Sequence, residues 1–107
     1  MSTNYLSIVQ NIVLKTVDKD SFAVFLFGSR ANETSRHGAD IDIGIWGSQP
    51  ISSRMINKII EELAESSVPY DIDVVDFHLT DSQFRQIALK TYQIWNLPIH
   101  LQQNFIQ

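Results

Sequence analysis

The chain has 107 residues, 44% hydrophobic and 19% charged, which suits one ordered domain with a single core and excludes a disordered chain. It carries no cysteine, so disulfides and thiolate metal sites are excluded. Its net charge of -4 comes from 12 acidic and 8 basic residues, with the basic ones scattered along the chain, so direct nucleic-acid binding is not expected.

The opening Met1-Ser2-Thr3-Asn4-Tyr5 has neither the basic start nor the long apolar run of a secretory signal. No stretch of about 18 apolar residues exists, so no membrane span is expected, and a cytoplasmic protein is. Residues 4–17 place Leu6, Val9, Ile12, Val13 and Thr16 at helical spacing, which predicts an amphipathic helix. The apolar run Phe22-Ala23-Val24-Phe25-Leu26-Phe27 predicts a strand. Residues 30–37 are polar, with one short helical turn expected before Gly38. Residues 40–46 predict a second strand, stopped by Gly47-Ser48-Gln49-Pro50.

Ser52 or Ser53 then caps a second helix with Met55, Ile56, Ile59, Ile60 and Leu63 on one face, ending near Ser66. Val68-Pro69 cannot continue it, because proline lacks an amide and disfavours helical geometry in the residue before it. Residues 70–77 predict a third strand. A last helix, capped by Thr80 or Asp81, is expected to carry Phe84, Ile87, Ala88, Thr91 and Trp95 on one face. The order helix, strand, strand, helix, strand, helix predicts an α/β (α+β) domain spanning 1–107, with a small mixed sheet flanked by helices. The tail, 98–107, is expected to be loosely ordered.

The chemistry is concentrated at the first two strands. Gly28-Ser29 follows the first, and ten residues later the second carries Asp40-Ile41-Asp42. Four specified residues at ordinary usage coincide by chance at on the order of one in 10^5 starting positions. Strand residues two apart point the same way and lie roughly 6.6 Å apart, so Asp40 and Asp42 present two carboxylates to one side. Two metal ions in a phosphoryl-transfer site lie about 3.5–4 Å apart, which such a pair can bracket. Magnesium favours a few carboxylates completed by phosphate oxygens over an all-protein cage.

Gly28 lets a phosphate approach the backbone without a Cβ in the way, and Ser29 offers a hydroxyl and an amide. A third carboxylate is wanted beside the pair, and the third strand offers Asp71, Asp73 and Asp76. Asp73 is central and flanked by the apolar Ile72 and Val74, which implies burial, so it is the candidate. Asp71 and Asp76 read as solvated strand-edge groups. Arg30 is a candidate phosphate contact. Trp46 and Trp95 read as core or interface aromatics, and His78 and His100 have no partner at ligand spacing.

Gly28-Ser29-x10-Asp40-x-Asp42 with Asp73 resembles the minimal nucleotidyltransferases of the DNA polymerase beta superfamily, in particular the MNT-type antitoxins paired with HEPN-domain toxins. The resemblance runs from about Ser21 to Trp95. It implies the nucleotidyltransferase fold, with Gly28 and Ser29 on the triphosphate and Asp40, Asp42 and Asp73 as catalytic residues holding two Mg2+ ions; Arg30, beside them, is the candidate phosphate contact. It also implies ATP as substrate, transfer of AMP to a tyrosine hydroxyl, and a HEPN toxin as partner. The loop Arg30-Ala31-Asn32-Glu33 departs from relatives, which more often have a second basic residue and a glycine there. The alternative is a non-catalytic antitoxin, a binding module that neutralises its partner by complex formation alone.

Overall fold

A computed structural model describes residues 4–28 and 40–103. Helix α1 (Tyr5–Thr16) is followed by strands β1 (Phe22–Phe27) and β2 (Ile41–Gly47), helix α2 (Ser53–Ala64), strand β3 (Ile72–Asp76), helix α3 (Ser82–Ala88) and strand β4 (Tyr92–Asn96). The strands form one sheet in the order β3-β2-β1-β4. β1 pairs antiparallel with both β2 and β4, whereas β2 and β3 run parallel and so need the α2 crossover between them.

Local chemistry accounts for the helix starts. Asn4 caps α1 by accepting from the Ser7 amide, and Ser52, the first of the two candidate caps, does the same for α2 with the Met55 amide. Asp81 caps α3 through the Phe84 amide at 2.7 Å. Alternation along the strands then divides the side chains between two faces. Val24, Leu26, Ile41, Ile43 and Ile45 turn to one face and are buried with Val9 and Val13 of α1 and Ile59 and Leu63 of α2.

The other face is largely aromatic. Ala23, Phe25 and Phe27 pack there with Phe77, Ala88 and Leu101. Phe77 begins a 3-10 turn, Phe77–Leu79, that follows β3 directly. Its ring stands edge-on to Phe25 at 4.8 Å and to Phe27 at 5.1 Å between centroids. Space for these rings comes from Gly44, which pairs with Phe25. A Cβ at Gly44 would lie 2.3 Å from Phe25 and 2.9 Å from Phe77.

The last predicted helix is the main correction. It ends at Ala88, and the residues expected to extend it become β4, against the far edge of β1. Tyr92-Gln93-Ile94-Trp95 is rich in aromatic and β-branched residues, and β1 would otherwise expose an unpaired row of amides and carbonyls. Trp95 accordingly packs with the first cluster instead of lying on a helix face. The Asn96 side-chain amide fastens the end of β4 by donating to the carbonyls of Lys19 and Phe22 at 2.9 and 2.8 Å. Of the tail expected to be loosely ordered, 99–101 form a 3-10 turn (Ile99–Leu101) that brings Leu101 into the second cluster, and 104–107 lie outside the described residues.

Gly44→Ala is expected to destabilise the domain by about 1–3 kcal/mol through overpacking against Phe25 and Phe77. Denaturant unfolding would show a lowered midpoint with an unchanged slope.

Candidate active site

The register of the sheet builds the site. Phe27, the last residue of β1, pairs with Asp42 of β2, and Asp42 pairs on its other side with Asp73 of β3. Paired residues share a face. Ile41 and Ile43 occupy the helix-covered face, so Asp42 and Asp73 lie on the aromatic face, at the end of the sheet beyond Phe77. Asp40 precedes β2 by one residue and is exposed, its place fixed by the neighbouring Ile41 amide donating to the Asp71 carbonyl at 2.9 Å.

Gly28 completes the described part of the site. It follows Phe27 with φ +78°, a left-handed conformation that side chains with a Cβ rarely adopt. A Cβ there would sit 2.9 Å from Asp42 Oδ2. The glycine therefore has two reasons, the turn itself and the carboxylate against it. Ser29 and Arg30 lie outside the described residues, as does the predicted helical turn over 30–37.

Asp73 differs from expectation in one respect. Its apolar neighbours implied burial, yet it is exposed. β3 is an edge strand, paired along one side only, with β2. Of the other acids on this strand, Asp71 is exposed, whereas Asp76 is not the solvated group expected. Its carboxylate accepts from the Ile51 amide at 3.1 Å and the His78 amide at 3.0 Å. Asp76 thus ties the lead-in of α2 to the end of β3.

Asp42 is half-buried, and its carboxyl is held above the ordinary carboxylate range. Loss of water is the largest cause, followed by the negative charges of Asp73 and Asp40. Like charges gathered on one side of a strand create a demand for a cation. Among the described residues, however, no group of three acids or histidines by itself forms an ion-holding cluster. The donor set thus fits an ion that takes its remaining oxygens from a phosphate or water, as magnesium commonly does.

The raised pKa of Asp42 carries a sign for stability. The folded chain binds this proton more tightly than the unfolded chain, so ionised Asp42 costs stability as pH rises through the carboxylate range, and the cost is absent below it. Asp42→Asn is expected to raise the melting temperature in metal-free buffer near neutral pH. That advantage should vanish at about pH 3, where the carboxyl is protonated. Thermal unfolding at the two pH values checks both halves.

Known proteins share this fold. The family model described as polymerase beta, nucleotidyltransferase matches residues 10–95. A Haemophilus influenzae protein named probable protein adenylyltransferase MntA is 29% identical over 89 residues, which cover 83% of this chain and 76% of that protein. A crystal structure of a toxin-antitoxin with AMP-PNP superposes with a TM-score of 0.71 at 19% identity, over 96% of this chain and 81% of its own. A structure of tri-AMPylated Shewanella oneidensis HEPN toxin in complex with MNT antitoxin gives a TM-score of 0.62 at 17% identity, over 92% of this chain and 76% of its own. At those identities the two structures speak for the fold. With a family match spanning both the sheet and its carboxylates, the chain belongs to the polymerase beta nucleotidyltransferase family.

Proposed function

We propose that the chain is a magnesium-dependent adenylyltransferase antitoxin, which moves AMP from ATP onto a tyrosine hydroxyl of a HEPN-domain toxin partner. The observation that carries this reading is the register Phe27–Asp42–Asp73, which sets two carboxylates side by side on an open face next to a left-handed glycine. The similarity to a probable protein adenylyltransferase supports the choice of a protein acceptor. ATP and the partner would be met in the cytoplasm.

The residues divide the work as follows in this reading. Gly28, with no Cβ, leaves its backbone open to phosphate oxygens, and Ser29 and Arg30 would complete the hold on the triphosphate. Asp40, Asp42 and Asp73 would hold the magnesium ions. Bound there, magnesium would offset negative charge on the phosphates and help ionise the acceptor. The acceptor oxygen attacks the α-phosphorus, the bond from that phosphorus to the bridging oxygen breaks, and pyrophosphate leaves with the electron pair. The hydroxyl proton passes to Asp73, whose exposure on the edge strand leaves it accessible to an incoming side chain. Phosphoryl-type transfer depends mainly on positioning and charge stabilisation, so a small domain can suffice.

The test is a mass spectrum of the HEPN partner after incubation with this chain, ATP and magnesium, beside an Asp40→Asn/Asp42→Asn double variant. Mass gained in AMP units only with the intact pair is expected, with a loss of at least about a hundredfold in the variant. A stable, neutralised complex with no mass gain in either sample would establish the binding-module alternative instead. Gly28→Ala should also lose most transfer, since its Cβ would press on Asp42 Oδ2 at the position where the backbone turns.

A further inference from the structure

Phe84 occupies an unusual place for an aromatic side chain. Among the described residues it is the only phenylalanine, tyrosine or tryptophan that is exposed, at 40%. Its ring is nevertheless supported from behind, by Phe77 at 5.6 Å and Phe27 at 6.3 Å between centroids. Its backbone is also fixed, because the Phe84 amide donates to Asp81 at the cap of α3. The next residue, Arg85, donates to the Thr80 carbonyl and lies 5.5 Å over the Trp46 ring, which holds the same turn to the sheet. The exposed ring thus rests on packed aromatic side chains, on a backbone held by a cap hydrogen bond.

Its neighbour is the carboxylate row. Phe27, against which Phe84 packs, is the strand partner of Asp42 and directly precedes Gly28. A nucleotide with its phosphates at Gly28 and Asp42 must lay its sugar and base across adjoining surface. Among the described residues, the aromatic face toward the middle of the sheet offers Phe84, packed on Phe27 and Phe77.

We infer that Phe84 is a stacking platform for the nucleobase of the bound nucleoside triphosphate. The inference rests on the nucleotide-binding reading above and adds the residue that takes the base. Every base has a π-face, so stacking supplies affinity without reading the base edge, and other purine triphosphates depend on Phe84 as ATP does. The role is binding and positioning of the substrate.

Calorimetry with the full chain and magnesium tests this, using ATP and inorganic tripolyphosphate as separate probes. Phe84→Leu keeps an apolar side chain over Phe27 and Phe77 but removes the flat ring. It should weaken ATP binding by about tenfold and leave tripolyphosphate binding unchanged. Phe84→Trp should restore ATP affinity, and its added fluorescence should be quenched by ATP and not by tripolyphosphate. Unchanged ATP binding in Phe84→Leu would overturn the inference while leaving the nucleotide site intact. Equal weakening of both probes would overturn it too, by assigning Phe84 a purely structural role. If the unaltered chain binds neither probe, the nucleotide-binding reading itself falls, and the platform with it.

Discussion

The pairing of Phe27 with Asp42 is the constraint on which the rest of this domain depends. Strand side chains alternate, so a slip of one residue between β1 and β2 would turn every side chain of one strand to the wrong face. Ile41, Ile43 and Ile45 would leave the helices, and Asp42 would enter the apolar core. The cost of burying a carboxylate without a partner makes that slip prohibitive. The residues that secure the fold are therefore interleaved with the residue that makes the site, and the isoleucines on one face hold the aspartate on the other.

Crowding of charge and packing of rings meet on the same face, and each limits the other. Phe25, Phe27 and Phe77 fill the middle of it, and the room left by Gly44 lets them do so. Where the rings stop, the carboxylates begin. Asp42 stands at this boundary, short of water on one side and near Asp40 and Asp73 on the other, which is why its proton is held more tightly than usual. The domain tolerates repulsion at one end of a well-packed sheet, an arrangement common where stability is given up locally for chemistry.

Much of this is legible in the residues. The apolar run of β1, the cap Ser52 and the stripe on α2 follow simple spacing, and the Gly28-Asp40-Asp42 constellation is what marks the candidate site in the sequence. Three features are not legible, each for a physical reason. Helical spacing from Phe84 to Trp95 is satisfied by coincidence, and only the free edge of β1 decides that Tyr92–Asn96 is a strand. Asp73 carries the neighbours of a buried residue, but exposure on an edge strand depends on strand order, which periodicity does not encode. Asp76 looks like one more surface acid because its partners, the amides of Ile51 and His78, become neighbours only once the crossover has folded.

The clamp at Asp76 has a mechanical meaning for the whole crossover. β3 is held to the sheet along one side only, by its parallel ladder to β2. An edge strand of five residues is the kind of element that opens locally without the domain unfolding. The Asp76 carboxylate closes the crossover at the point where the chain leaves β3, pinning that strand to the segment that enters α2. Asp73, three residues upstream, inherits that restraint. The precision with which the edge carboxylate is presented to its neighbour on β2 is thus governed from the opposite end of its strand, by an acid with no part in the chemistry.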